Sequence, residues 1–320
     1  MDVHELARRV ASGERASLAR LITLVESRRA QDRRQAAAVA QLLRGSGVAH
    51  RIGISGPPGA GKSTLIESLG VAMCEAGHRV AVLAVDPSSR RTGGALLGDQ
   101  ARMTRLSQFP SAFVRPTASG ATLGGVHLRT ADVVEVLEAV GFDRILVETV
   151  GVGQSEVEVL HAVDTLLLLA LPGSGDELQG IKRGIVEAAD VLWVNKADGA
   201  TASLAHVAQR QWLAALQLQR PRVAGWQVPV LAGSAREGSG LTDLLGALAA
   251  HRVHLETTGT WKEQRRAQRR HRVAAGVRDA VWSRFLAQPA HAASVDAALA
   301  ASEDESVPVE FLVSAVLSSD

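Results

Sequence analysis

The stretch Gly56-Pro-Pro-Gly-Ala-Gly-Lys-Ser63 matches G-x-x-x-x-G-K-[ST], the pattern of a loop that cradles phosphate. Before it, His50-Arg-Ile-Gly-Ile-Ser55 reads as a short buried strand. After it, Thr64-Leu-Ile-Glu-Ser-Leu-Gly-Val-Ala-Met73 has the apolar spacing of a helix. Strand, glycine loop and helix, in that order, are the context the pattern requires. Glycines let the backbone turn sharply and bring its N–H groups close to an anion. The helix N-terminus adds free donors and the positive end of its dipole at the same spot. Gly56, Pro57, Pro58, Gly59, Ala60, Gly61, Lys62, Ser63 and Thr64 are therefore the candidate phosphate-binding residues. Lys62 is placed to reach the outer phosphates, and the Ser63 hydroxyl to ligate Mg²⁺. The plainer alternative is a glycine-rich turn with no ligand, and the flanking strand and helix argue against it.

Composition narrows the remainder. At 320 residues and 46% hydrophobic, the chain has ample material for one large or two small domains. A net charge of +2 implies neither a nucleic-acid nor a membrane partner. The single Cys74 excludes an intrachain disulfide and a cysteine metal cluster, and it suits a reducing compartment. The ten histidines are scattered without ligand spacing. Met1-Asp-Val-His-Glu-Leu-Ala lacks the apolar core of a signal peptide. The longest apolar run, Thr165-Leu-Leu-Leu-Leu-Ala-Leu171, is of strand length, too short to span a bilayer. The expectation is a soluble, cytoplasmic protein.

Residues 1–48 read as helical, with Ser12-Gly13 breaking the first helix from the second. Val3, Leu6 and Val10 share a face, as do Leu18, Leu21, Ile22 and Val25, and Ala36, Val39 and Leu42. From 49 to 254 strands alternate with helices. Strands are expected at 50–55, 79–85, 112–115, 144–148, 164–171, 191–194 and 228–231, mostly as continuous Val/Leu/Ile runs that mark strands covered on both faces. The fold class is α/β: a doubly wound, mainly parallel sheet with its ligand at the carboxyl ends of the strands. Residues 255–320 lose the strand signal. Trp261-Lys-Glu-Gln-Arg-Arg-Ala-Gln-Arg-Arg-His-Arg272 begins a long helix that Gln288-Pro289 ends, and Pro308 opens a short last one. Lys262, Arg265, Arg266, Arg269, Arg270 and Arg272 read as a solvated face, since no aromatic residues interleave them for nucleic acid.

Further candidate residues follow strand ends. Asp86, at the end of the strand expected beside the phosphate loop, can hold Mg²⁺ or begin the turn before Pro87. Asp99 can cap the helix it starts or stand behind the magnesium ligands. Glu148-Thr-Val-Gly151 places an acid at a strand end with a glycine three residues on. That acid holds Mg²⁺ through water while the Gly151 N–H points at the terminal phosphate. Val152 stands where Ras-type enzymes carry the glutamine that orients the attacking water, which predicts slow intrinsic hydrolysis that a partner or a rearranged loop accelerates. Asn195-Lys196-Ala-Asp198 is N-K-x-D. Its aspartate accepts from the N1–H and exocyclic amine of guanine, a donor pair that adenine lacks. Ser234-Ala235 fits the backbone contact to guanine O6. In 171–184 three glycines fall within 173–180, among Asp176, Glu177, Gln179 and Lys182. This stretch is either a glycine turn with a capped helix or a loop coupling nucleotide state to a partner.

With GPPGAGKST (56–64), DPSSRRTGGALLGDQARM (86–103), ETVGVGQSE (148–156), PGSGDELQGIKRG (172–184) and NKAD (195–198) in hand, the chain resembles the MeaB/MMAA family along nearly its whole length. These are P-loop GTPase chaperones of adenosylcobalamin-dependent acyl-CoA mutases, also known as ArgK. The resemblance implies three switch segments, at 86–103, 148–156 and 172–184. Lys62, Ser63, Asp86, Asp99 and Glu148 would assemble phosphate and magnesium, and Gln179 and Lys182 would report nucleotide state to the mutase. It further implies GTP and GDP as ligands, Mg²⁺, and a homodimer with 255–320 as its arm. Hydrolysis of GTP would gate cobalamin loading and reactivation of a mutase such as methylmalonyl-CoA mutase. The alternatives are a kinase or transport-coupled ATPase, which NKAD opposes, and a nickel-delivery GTPase, which lacks its His or Cys cluster here.

Overall fold

A computed structural model describes residues 2–27, 29–43, 48–86, 103–118, 125–149, 159–173, 183–302 and 308–317. In chain order these form helices α1 (Val3–Ala11), α2 (Arg15–Glu26) and α3 (Ala30–Leu43), strand β1 (His50–Ser55), α4 (Lys62–Glu75) and β2 (Val80–Asp86). Then follow α5 (Thr104–Ser107), β3 (Ala112–Ala118), α6 (Gly125–Ala139), β4 (Arg144–Glu148), β5 (Thr165–Ala170), α7 (Arg183–Ala188) and β6 (Val191–Val194). The chain continues through α8 (Ala202–Gln217), β7 (Val230–Ala232), α9 (Leu241–Thr257), α10 (Thr260–Leu286), α11 (Pro289–Ala301) and α12 (Val309–Leu317).

The seven strands form one sheet in the order β3-β2-β4-β1-β5-β6-β7, every described pairing parallel. All seven expected strands are present, three with both ends as expected and the others with ends displaced by up to three residues. The order corrects one expectation. Asp86 ends β2, and β4 lies between β2 and the phosphate-loop strand β1, so Asp86 is not on the adjacent strand. Sequential neighbours need not pair when a crossover helix separates them.

The sheet is doubly covered because successive side chains on a strand point to opposite faces. Leu166, Leu168 and Ala170 enter one core and Leu167 and Leu169 the other. Ile52 and Ile54 pack with Leu65, Ile66 and Leu69 of α4. Between them Gly53 faces Val163, where an added Cβ would lie 3.0 Å from Cγ2. The first core also takes Leu6 and Val10 of α1, Leu18, Leu21, Ile22 and Val25 of α2, and Ala36 and Val39 of α3. The N-terminal helices are thus part of the sheet's covering layer, and burying each large aliphatic side chain there contributes roughly 1.5–3 kcal/mol. Leu42, expected on that face, is exposed. Arg15 fastens the layer to the sheet edge by donating to the carbonyls of Ser107, Phe109 and Ala112.

The first compact unit runs through Gln268, and Arg269–Asp320 form a second. The early turns of α10 therefore belong with the sheet, and this overturns part of the expected solvated basic face. Arg265 is a half-buried ion-pair partner of the fully buried Asp164. Its Nε and Nη2 donate to Asp164 Oδ1 (2.5 Å) and Oδ2 (2.7 Å), and its Nη1 lies 3.1 Å from Glu138 Oε2. Arg51 also pairs with Glu138, and its backbone N–H donates to Asp164 Oδ2 at 2.9 Å. Gln264 and Gln268 donate to the carbonyl of Val163 at 3.1 and 2.6 Å. A helix entering over the amino edge of a parallel sheet meets turns with open carbonyls, and long donors satisfy them. In the second unit, the helix Pro289–Ala301 was not expected. Pro289 both follows the end of α10 at Leu286 and opens the next helix, since proline at the first helical position needs no N–H partner.

Beside Asp164, His50 Nε2 pairs with Thr165 Oγ1 (2.7 Å), which pairs in turn with His251 Nδ1 (2.8 Å). Burial pushes the His50 pKa down to about 3, against the opposing pull of Asp164. Burial also lowers His251. Because the folded-state value of His50 lies below the unfolded one, its contribution is intact above pH 6.5 and is lost as pH falls toward 3. For one such histidine the loss reaches about 2 kcal/mol by pH 5. Thermal melts at pH 7 and pH 5 should show a drop in Tm that His50→Asn reduces. An equal drop in that variant would refute the assignment.

Candidate functional site

The candidate residues gather where β4, β1, β5, β6 and β7 end. Between β1 and α4 the loop passes through left-handed backbone at Gly59 (φ 78°) and Gly61 (φ 89°), conformations that glycine adopts without strain. Two glycines are also required by contact. A Cβ at Gly56 would lie 2.7 Å from the Leu169 carbonyl oxygen, and one at Gly61 would lie 2.5 Å from Asn195 Nδ2. The loop is thus pressed onto β5 and onto the residue that follows β6. Lys62 opens α4, and its ammonium donates to the carbonyls of Gly56 (2.7 Å) and Pro57 (3.1 Å), which holds it over its own loop.

Glu148 ends β4 opposite Ile54 of β1 and is buried. The Ser63 hydroxyl donates to its Oε1 at 3.1 Å. A hydroxyl beside a buried carboxylate is a pair of hard oxygen donors, the ligand type Mg²⁺ takes. Thr149 continues the β1–β4 pairing by donating its backbone N–H to Ile54 O at 3.0 Å.

On the other flank Asn195 ties three segments together. Its Nδ2 donates to the Ala60 carbonyl (2.7 Å), while its Oδ1 accepts from Ala235 N–H (3.0 Å) and from the Trp193 indole (3.3 Å). Lys196 takes left-handed backbone (φ 61°), rare for a residue with a side chain, which turns the chain toward Asp198. Asp198 accepts a hydrogen bond from the Ser234 hydroxyl, and that hydroxyl accepts the Glu237 N–H at 3.1 Å. Ser68 on α4 donates to the Ala235 carbonyl at 2.6 Å.

Of the sequence-derived residues, the fold brings together Gly56–Thr64, Glu148, Asn195–Asp198 and Ser234–Ala235. Asp86 closes β2 two strands from β1. The side chain of Asp86, and Asp99, Gly151, Asp176, Glu177, Gln179 and Lys182, lie outside the described residues. Three site residues escaped sequence reading: Ser68, Trp193 and Ser239, whose hydroxyl accepts the Ser234 N–H at 3.2 Å. Ser68 and Ser239 carry no pattern. A tryptophan two residues before N-K-x-D is the one signal that was present.

A family model described as methylmalonyl Co-A mutase-associated GTPase MeaB matches residues 18–290. The chain belongs to the MeaB family. Among similar proteins, a probable GTPase of Mycobacterium tuberculosis is 52% identical over 288 residues, covering 90% of this chain and 86% of the relative. The Mus musculus methylmalonic aciduria type A homolog, mitochondrial, is 43% identical over 270 residues, 81% of this chain and 65% of that protein. A solved structure of a LAO/AO transport system kinase superimposes with a TM-score of 0.75 at 30% identity, covering 98% of this chain and 96% of that one. As a MeaB-family member with a P-loop NTPase sheet, the chain is a GTPase and binds guanine nucleotide. Among the described residues, no helix is long and apolar enough to cross a membrane.

Proposed function

We propose that this GTPase is Mg²⁺-dependent and acts as a chaperone of an adenosylcobalamin-dependent acyl-CoA mutase such as methylmalonyl-CoA mutase, its nucleotide state gating cofactor loading and reactivation. The observation that carries the nucleotide part is Asn195, which joins the loop at Ala60 to the turn at Ala235 and so supports one ligand spanning both. The loop N–H groups and the N-terminus of α4 bind the phosphates, and Lys62 swings from its own carbonyls to the outer ones. Asp198 accepts from the guanine N1–H and amine and Lys196 flanks the base, while the Ala235 N–H, the expected donor to O6, donates to Asn195 Oδ1. Ser63, with Asp86, Asp99 and Glu148 directly or through water, would hold Mg²⁺, which supplies charge neutralisation on the phosphates when bound. In hydrolysis a water oxygen bonds to the γ-phosphorus as the bond to the bridging oxygen breaks, leaving GDP and phosphate. Gly151 N–H would face that phosphoryl group. Catalysis rests on positioning and charge stabilisation rather than on a covalent step.

The mutase link is supported by the family description and by the naming of the mouse relative. The coupling segment would be 172–184, with Asp176, Glu177, Gln179 and Lys182. Assembly as a homodimer through 255–320 is supported by exposed Val273, Val277, Val281 and Trp282 on α10 and by Phe311 and Leu317 on α12. GTP turnover should be abolished by EDTA, restored by Mg²⁺, and raised by a cognate mutase. Turnover indifferent to chelation would remove the metal assignment, and indifference to every acyl-CoA mutase tried would remove the partner.

A further inference from the structure

Trp193 is the largest fully buried side chain, and it lies on β6 directly before the base-recognition turn. An indole N–H inside a protein needs an acceptor. Here it finds the Asn195 side-chain oxygen at 3.3 Å. That oxygen already takes Ala235 N–H, and the amide nitrogen faces the Ala60 carbonyl. Two donors converge on the oxygen and one acceptor meets the nitrogen, so the flipped amide would put like against like at all three contacts. The indole therefore helps to set the orientation of the residue that joins the phosphate loop to the base loop.

The ring has a second effect. An added Cβ at Gly233 would lie 2.2 Å from the Trp193 Cη2, and one at Gly240 would lie 3.0 Å from the same atom. These two glycines bracket the 233–240 turn, which closes on itself through Ser234 N–H to Ser239 O (3.1 Å). Gly233 also accepts the Ala197 N–H at 3.0 Å. The tryptophan is thus the floor on which the turn carrying Ser234 and Ala235 lies, next to the turn carrying Asp198.

We infer that Trp193 is a positioning residue for guanine selectivity, acting through Asn195 and the 233–240 turn without touching the nucleotide. The inference rests on the assignment of 195–198 and 234–235 as the base site. Its chemistry is specific. Loosening Asn195 lets Asp198 and Ala235 drift relative to the phosphates, which weakens recognition of the exocyclic amine more than it weakens phosphate binding.

Trp193→Phe keeps an aromatic floor and removes the N–H. Titration calorimetry with GDP and with IDP, which lacks the exocyclic amine, reads the effect. GDP affinity should fall about three- to tenfold, the scale of one buried hydrogen bond, while IDP affinity changes less, so the GDP/IDP ratio shrinks. KM for GTP should rise with kcat nearly unchanged. In the Asn195→Ala background the same substitution should add little, because its route is gone. An unchanged GDP/IDP ratio in a folded Trp193→Phe protein, whatever its Tm, would overturn the proposal. Should that variant not fold, ¹⁵N-indole spectra of the wild type serve instead. Of the five tryptophans, one indole resonance should shift on GDP addition and less on IDP, and no shift would overturn the proposal. If the wild type itself binds ADP as well as GDP, the base-site assignment fails, which is a separate result.

Discussion

Replacing Lys62 by alanine is expected to lower kcat/KM for GTP by about 10²–10³-fold, the effect of deleting one preorganised charge-stabilising donor. The chain should remain folded. The Lys62 ammonium is partly buried over its own loop, donating to the carbonyls of Gly56 and Pro57. Removing it costs contacts at a partly solvated loop rather than core packing, and the glycine contacts to Leu169 and Asn195 that shape the loop are untouched. The loss should therefore appear in turnover while the Tm without nucleotide moves little. A phosphate-release assay at saturating Mg²⁺ checks it. Unchanged turnover in a folded variant would mean that 56–64 is a glycine turn and not the phosphate site.

The second large effect concerns stability. Arg265→Ala should destabilise the first unit by about 3 kcal/mol, the lower end of the cost of breaking a buried ion pair. Asp164 is 0% exposed, and Arg265 binds both of its oxygens. Burial raises the Asp164 pKa, but Arg265, with help from Arg51 and His50, together outweighs it and keeps the carboxyl below its usual value. Removing the arginine leaves a buried anion held by the Arg51 N–H at 2.9 Å and by Arg252 at 3.7 Å. Those remaining contacts are why the lower end of the range applies. Urea unfolding should show the shift, and the double variant Arg265→Ala with Asp164→Asn should recover part of it, because the stranded charge is then gone. If Arg265→Ala matches the wild type, the pair contributes no net stability, and α10 is held through contacts such as those of Gln264 and Gln268.

The same arginine illustrates how far the sequence can be read. In Trp261–Arg272 the spacing identifies a helix, and the helix is there. Nothing local distinguishes Arg265, which is half-buried against Asp164, from Arg266 or Arg270. The partner lies a hundred residues away, and only packing brings it close. A similar limit applied to Pro289, where one residue type serves both to end a helix and to begin one.

Local order was the legible part of the nucleotide site. The glycine loop, Glu148 at a strand end and N-K-x-D each carry their chemistry in a few consecutive residues. A parallel sheet delivers every strand's carboxyl end to one edge, so strand ends could be placed together without knowing their order. The unread part was the connections across that edge. Asn195 meets Ala60 and Ala235, Ser68 meets Ala235, and Trp193 lies beneath Gly233 and Gly240. Each is a contact between segments distant in the chain.

The amino-acid sequence by itself determined which segments are strands, which loop carries the phosphate-binding pattern and which turn carries N-K-x-D, because backbone preference and apolar periodicity act over neighbouring residues. Tertiary structure alone decided that β4 separates β1 from β2, that the N-terminal helices complete one face of the core, and that one arginine of a basic helix pairs with a buried aspartate. Strand pairing and charge burial depend on what arrives on the other side, and no local pattern encodes the identity of a distant neighbour.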